Sequence, residues 1–130
     1  MSVPSVSVVL PAHNERAGIA TAIAEVYAAL GPRPLEVIVV DDGSDDGTDA
    51  AVEALIGERS ALRLIRLSRN FGKESALAAG LAAATGDYVA LLDADLQDPP
   101  QELVPMLAQA EAGIGDRKST RLNSSHTDIS

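Results

Sequence analysis

The strongest constraint on the fold is a regular alternation of short apolar segments with longer segments of helical spacing. Val, Ile and Leu dominate the first kind, and turns rich in Gly, Asp and Pro separate the two. The predicted strands are residues 6–10, 35–40, 62–67 and 88–92, and the predicted helices are 15–30, 48–56, 74–84 and 101–112. Parallel strands need crossover connections of this length, so the pattern predicts an α/β fold with a mostly parallel, doubly wound sheet and helices on both faces.

The third predicted strand differs from the others in its polarity. Arg63 and Arg66 interrupt its apolar residues, whereas strands buried on both faces are continuous apolar runs. This strand is therefore expected near an edge of the sheet. A chain of 130 residues, 46% of them hydrophobic, can bury one sizeable core, and we assign residues 1–115 to a single domain.

The last fifteen residues have a different composition. Seven of the residues in 116–130 are Ser, Thr or Asn, and only Leu122 and Ile129 are apolar. The first 115 residues carry 17 acidic and 7 basic side chains, whereas 116–130 carries 2 acidic and 3 basic ones. We expect 116–130 to be a disordered, non-native tail, with a flexible native linker as the alternative.

The composition excludes several classes of function. Aromatic residues make up 2% of the chain and the net charge is −9, so a nucleic-acid partner is not expected. The absence of Cys rules out disulfides and thiolate chemistry. The longest apolar stretch, 76–84, is too short to span a bilayer, and the N-terminus lacks the basic region of a signal peptide.

The end of the fourth predicted strand carries a pattern that suits a divalent metal. Asp93 and Asp95 follow the apolar run 88–92, and residues i and i+2 of an extended chain point to the same side. The amide oxygen of Gln97 comes next. Hard oxygen ligands without a nearby His or Cys favour Mg²⁺ or Mn²⁺ over zinc. The alternative is a solvated acidic turn before a pair of prolines.

A second acidic strand end comes earlier in the chain. Asp41 and Asp42 follow the run 35–40 and precede Gly43 in a segment typical of a β-loop-α unit. Ligands of open α/β sheets bind at the carboxyl ends of the strands. Two adjacent acids exceed what a turn needs, so we predict that both contact a ligand and that Asp42 matters for binding and not for folding. Residues 44–48 are interpreted as a turn and helix cap.

The loops after the other two predicted strands are also polar. Pro11 and Ala12 precede Asn14 and Glu15 in one loop, and Lys73 lies at an expected helix N-terminus, where cations and free N–H groups favour anions. Each loop has a simpler explanation, as a helix start capped by Asn14 or as a solvated connection. Four loops after four successive strands nevertheless carry groups suited to one nucleotide.

Four segments, in this order and spacing, resemble one family: PAHNE, VVDDGSDDGT, SRNFGKESALAAG and LLDADLQDPP. They are similar to the nucleotide-sugar half of inverting family 2 glycosyltransferases, which have the Rossmann-like GT-A fold. RNFGKE and DADLQDPP most resemble the polyprenyl-phosphate glycosyltransferases, such as bactoprenol glucosyltransferases and dolichol-phosphate mannose synthases. The resemblance covers about residues 4–112.

The resemblance implies an activity and a set of site residues. A sugar would pass, with inversion, from a UDP- or GDP-linked sugar to an acceptor, a polyprenyl phosphate in the subfamily. Asp93, Asp95 and Gln97 would hold Mg²⁺ or Mn²⁺ on the diphosphate. The donor would lie among Pro11, Ala12, Asn14, Glu15 and Asp42, with Lys73 near the phosphates.

The acceptor-side half of the family, with its further catalytic residues, has no counterpart in the sequence. The sheet is therefore expected to be truncated on its C-terminal side, and no catalytic residue is assigned. Lipid-phosphate members also carry C-terminal membrane helices, so membrane contact is expected only through a missing part, with the enzyme at the cytoplasmic face of the cell membrane.

Two alternatives belong to other classes. A receiver-like signalling domain also has paired acids and a further acid after its strands, but its pair follows the first strand, whereas here the run 6–10 precedes Asp41. The later strand that carries a receiver's lysine is also missing. The second alternative is a non-catalytic fragment that at most binds nucleotide.

Overall fold

The computed structural model describes residues 5–31, 33–59, 61–95, 99–113 and 121–123. Within them, five strands form one parallel sheet in the order β3-β2-β1-β4-β5. The strands are β1 (Val6–Ala12), β2 (Leu35–Asp41), β3 (Leu62–Arg66), β4 (Tyr88–Leu91) and β5 (Arg121–Asn123), and the helices are α1 (Ile19–Leu30), α2 (Thr48–Ile56), α3 (Lys73–Ala83) and α4 (Leu103–Gly113). The predicted α/β fold is confirmed, and β3 lies at an edge as expected.

The two faces of the sheet are covered by different helices, because successive side chains of a strand point to opposite faces. Val8 of β1 belongs to a core shared with α1, α2 and α4. Burial of Ile23 and Leu30 fixes α1 on this face, at about 1.5–3 kcal/mol for each side chain. Val9 belongs to a second, smaller core shared with α3. Helices therefore cover both faces, as predicted.

Helix α3 packs on the sheet through small residues. Only Ala76 and Gly80 of this helix are fully buried. A Cβ atom on Gly80 would lie 2.3 Å from Cγ1 of Val9, so no larger residue fits between the helix and β1. The small residues of α3 thus set the distance between this helix and the sheet.

Two boundaries differ from the predictions. Helix α1 begins at Ile19 and not at residue 15, because Asn14 has a φ of 53°, in the left-handed region that no α-helix continues through. Asn14 is therefore not the helix cap, which is Gly18. At the other end, the segment 121–123 forms β5, so the prediction of disorder throughout 116–130 is wrong for these three residues.

The pairing of β5 has a simple physical cause. The edge of β4 presents backbone N–H and C=O groups, which any extended segment can pair with whatever its side chains are. The rest of 116–130 lies outside the described residues, so the division at residue 115 and the foreign origin of this segment stay predictions. Among the described residues, no helix is long and apolar enough to cross a membrane.

Candidate functional site

A cleft of about 270 Å³ lies at the carboxyl edge of the sheet. Strands β1 and β2 pair in register up to Ala12 and Asp41, and β4 ends opposite Val9. The loops after four strands therefore converge, as the sequence suggested. The cleft is lined by Pro11, Ala12, His13, Glu15, Asp42, Asn70, Gly72, Lys73, Ala76 and Asp93.

Asp42 is the most enclosed charged group of the cleft. It is 5% exposed, and its two carboxylate oxygens accept hydrogen bonds from the backbone N–H groups of Phe71 (2.8 Å) and Gly72 (3.0 Å). A buried carboxylate needs such partners to offset its lost hydration. Asp42 therefore holds the loop after β3 in place, and from these contacts we expect it to matter for folding as well as for binding.

Asp41 is placed differently, although it is the neighbouring residue. It is 4% exposed and is not among the residues that line the cleft. Its Oδ1 accepts the N–H of Ser44 at 3.1 Å, and its carbonyl oxygen accepts the N–H of Leu67. Adjacent residues of an extended chain point in opposite directions, so both acids cannot face one ligand. The structure therefore removes Asp41 from the expected ligand contacts.

The loops after β1 and β2 interlock beside the cleft. The side-chain oxygen of Asn14 accepts the N–H of Asp45 at 2.9 Å, and the N–H of Asn14 donates to the hydroxyl of Ser44 at 2.8 Å. Thr48 accepts the N–H of Glu15 at 2.9 Å and donates to Asp46. The residues from 44 to 48 thus serve the turn, as interpreted from the sequence, and Asn14 contacts that turn and does not line the cleft.

Gly43 lets the loops after β2 and β3 approach each other. Its φ is +65°, and a Cβ atom there would lie 2.3 Å from backbone atoms of both Arg69 and Asn70. Any side chain at this position would therefore meet main chain, which cannot move aside as a flexible side chain can. Gly43 and Asp42 together fix the loop of residues 68–72 against the end of β2.

A lysine and an aspartate face each other across the cleft. Lys73 Nζ lies 2.6 Å from Asp93 Oδ1, and the two side chains are 58% and 37% exposed. Asp95 is exposed near Asp93, and Gln97 lies outside the described residues. Burial and then the negative charges of Asp95, Asp46 and Asp93 raise the pKa of Glu15. This part of the edge therefore attracts cations.

The donor set of this edge fits a hard divalent cation. Asp93 and Asp95 offer carboxylate oxygens, and Asp93 already holds a positive group at contact distance. No group of three or more His, Cys, Asp or Glu residues that could hold a metal ion exists in the described part of the chain. A cation bound by two carboxylates needs other oxygens from water or phosphate, which is how Mg²⁺ is usually held.

His13 and Asn70 line the cleft but were not predicted. Nδ1 of His13 lies 2.8 Å from the carbonyl oxygen of Asp42, an oxygen that can only accept a hydrogen bond. Nδ2 of Asn70 lies 3.1 Å from each of the two nitrogens of the same ring. The available signal was position, because both residues stand in loops that follow strands.

Fold and cleft together define a doubly wound α/β protein in which carboxylates and one lysine line the cleft at the carboxyl edge of the sheet. The sequence profile of glycosyl transferase family 2 matches residues 7–116, and the chain belongs to that family. This confirms the predicted family and removes the ground for a receiver-like domain.

Three known proteins illustrate the relationship. Undecaprenyl-phosphate 4-deoxy-4-formamido-L-arabinose transferase of Klebsiella pneumoniae is 38% identical over 124 residues, covering 93% of this chain and 38% of that protein. The mannosyltransferase PcManGT from Pyrobaculum calidifontis, solved with GDP-Man and Mn²⁺, has a TM-score of 0.73 and 32% identity, over 86% of this chain and 35% of its own. Glucosyl-3-phosphoglycerate synthase from Mycobacterium tuberculosis, solved with Mn²⁺, UDP and glucosyl-3-phosphoglycerate, has a TM-score of 0.64 and 34% identity, over 83% and 39%. The chain thus spans less than half of each relative's length.

Proposed function

We propose that this chain is the donor-binding part of a glycosyltransferase that takes its sugar from a UDP- or GDP-linked donor. The observation that carries the proposal is the pairing of Lys73 with Asp93 in a cleft at the carboxyl edge of the sheet. Support comes from the two structural relatives, one solved with GDP-Man and the other with UDP. The nucleoside would lie between Pro11, Glu15 and Asp42, with the diphosphate toward Asp93.

Asp93 and Asp95, with Gln97 as a proposed third ligand, would hold Mg²⁺ or Mn²⁺ in this proposal. When bound, such a cation neutralises the charge that develops on the departing nucleoside diphosphate. Lys73 adds a second positive charge at the same end of the cleft. His13, fixed by Asp42 and Asn70, presents its ring beside the nucleoside end.

We further propose a polyprenyl phosphate as the acceptor, supported by the name of the relative from Klebsiella pneumoniae. A phosphate oxygen is already anionic, so it can attack the anomeric carbon without a strong general base. The bond to the nucleoside diphosphate breaks as the new bond forms, and a single displacement inverts the anomeric centre. The lipid chain of such an acceptor would confine the reaction to the membrane surface, and we propose the cytoplasmic face.

Calorimetric titration of UDP- and GDP-linked sugars tests the donor and metal assignment together. We expect Mn²⁺ or Mg²⁺ to tighten donor binding to the 130-residue chain, and we expect Asp95→Ala to remove that enhancement. Asp45→Asn is the control, because Asp45 belongs to the turn after β2 and does not line the cleft. Equal donor affinity with and without metal in a folded chain would contradict the assignment.

A further inference from the structure

The contact between Lys73 and Asp93 connects the loop after β3 with the loop after β4, at the end of the cleft proposed for the diphosphate. The 2.6 Å distance joins Nζ to Oδ1, one of the carboxylate oxygens that a divalent cation would use. An ammonium group at contact distance occupies the approach to that oxygen. The same carboxylate cannot receive both cations in the same place, since they would overlap and repel each other.

The backbone at Lys73 is held in place by the hydrogen bond of the preceding residue, so the contact with Asp93 does not depend on a flexible loop. Gly72 has a φ of +106° and donates its N–H to the buried carboxylate of Asp42. Lys73 follows directly as the first residue of α3. Only the flexible side chain of Lys73 is free to move, within the reach of its four methylene groups.

We propose that Lys73 competes with the divalent cation for Asp93 and thereby makes metal binding depend on the nucleoside diphosphate. Metal alone must displace the ammonium group from Asp93. When the diphosphate arrives with the metal, the displaced lysine gains new anionic oxygens in the same part of the cleft. The inference rests on the proposed donor and metal assignment and adds the order in which the charges pair.

The proposal has a thermodynamic consequence that can be measured without turnover. If the diphosphate relieves the displacement of Lys73, it raises metal affinity, and the metal must raise diphosphate affinity by the same factor. Removal of the lysine charge should therefore act in opposite directions on the two ligands. A residue that only stabilised the loop would weaken both.

The experiment compares wild type with Lys73→Met by titration of Mn²⁺ alone, followed by electron paramagnetic resonance, and by titration of UDP and GDP with saturating Mn²⁺. For metal alone we expect Lys73→Met to bind about two- to fivefold more tightly, which is the scale of an exposed ion pair. For the nucleoside diphosphate we expect a loss of about tenfold or more. Lys73→Arg keeps the charge and should resemble wild type for metal alone.

Two controls separate charge from position. Arg59→Gln removes one positive charge from a residue that follows α2 and packs over the Tyr27 ring, away from the cleft, and should leave both affinities unchanged. In an Asp93→Asn background, Lys73→Met should no longer tighten Mn²⁺ binding.

The outcomes distinguish this inference from the proposed function. If wild type binds UDP and GDP equally with and without Mn²⁺, the donor and metal assignment fails and the inference fails with it. If the nucleotide depends on Mn²⁺ but Lys73→Met leaves or weakens the affinity for Mn²⁺ alone, only the competition is overturned. Because Lys73 is 58% exposed, its substitution should not unfold the chain, and a melting curve verifies this.

Discussion

The acids at the ends of β2 and β4 look alike in the sequence but have different roles in the structure. Asp42 is buried, and both of its oxygens accept backbone N–H groups from the loop after β3. Asp93 is 37% exposed and contacts the ammonium group of Lys73, whose side chain is 58% exposed. Fixed donors make the first carboxylate part of the framework, whereas an exchangeable partner leaves the second available to a ligand.

The difference shows that the role of an acid at a strand end depends on which groups donate hydrogen bonds to its carboxylate or pair with its charge. A carboxylate whose oxygens both accept backbone N–H groups stabilises the fold, because its removal leaves those N–H groups without a hydrogen-bond partner. A carboxylate paired with one exposed cation loses little when that partner moves away. Position at the carboxyl edge of the sheet does not separate the two cases.

The largest loss of stability should come from substitution of Gly43, which lets the loop after β2 approach the loop after β3. Gly43→Ala places a Cβ atom 2.3 Å from the backbone of Arg69 and Asn70 at a φ of +65°. We expect a loss of about 2–5 kcal/mol in the free energy of unfolding, measured by urea denaturation. Gly57→Ala is the matched control, because its Cβ meets nothing within 4 Å, and it should be neutral or slightly stabilising. Equal effects at the two glycines would show that the loops are not interlocked.

The next effect tests the two acids directly. Asp42→Asn turns an amide NH₂ toward a backbone donor, so we expect a loss of about 1.5–3 kcal/mol in the free energy of unfolding. Asp93→Asn should change the same quantity by less than about 1 kcal/mol, because it breaks one exposed ion pair. Parallel denaturation curves measure both. If Asp93→Asn proved the more destabilising, the assignment of framework and ligand acids would have to be reversed.

The smallest effect expected for a framework residue concerns a third carboxylate, Glu36, at the opposite end of β2. Its carboxylate accepts hydrogen bonds from the hydroxyl of Ser7 (2.7 Å) and the N–H of Thr85 (3.1 Å). It also forms an ion pair with Arg63 (2.7 Å). Burial raises the pKa of Glu36, but the hydrogen bonds from Ser7, Arg63 and Thr85 outweigh it, so the pKa lies below the ordinary 4.5. By the same reasoning as for Asp42, Glu36 belongs to the framework.

A lowered pKa means that the folded chain binds fewer protons than the unfolded chain near pH 4. The stability that Glu36 contributes is therefore present above pH 4.5 and is lost as the pH falls through its folded pKa. We expect Glu36→Gln to lower the free energy of unfolding by about 1 kcal/mol at pH 7. The difference from wild type should shrink in denaturation curves recorded below pH 4. A difference independent of pH would show that the ionised form of Glu36 is not what the network stabilises.

The fold was largely predictable from the sequence, because the alternation of apolar segments is a local signal. Two Arg residues placed β3 at an edge. The strand β5 was not predictable, since its pairing depends on a free edge of β4 and not on its own side chains. The start of α1 was misplaced because the left-handed backbone of Asn14 leaves no trace in the apolar pattern.

The cleft was predictable in outline, and its internal hydrogen bonds were not. The donors to Asp42 come from Phe71 and Gly72, about thirty residues away, so only the tertiary fold reveals them. The opposite directions of Asp41 and Asp42 could have been predicted from the sequence, because successive side chains of a strand point to opposite faces.

The close approach of α3 has a consequence for the dynamics of the cleft. Helix α3 fully buries only Ala76 and Gly80 and packs Leu77 and Leu81 partly buried, whereas α1 fully buries five residues, among them Ile19 and Ile23. Local opening should therefore cost less free energy at α3 than at α1, and its amide protons should exchange sooner. Because Lys73 begins α3, the exchange rates of the α3 amides would measure how firmly the fold holds the backbone beneath the cation that faces Asp93.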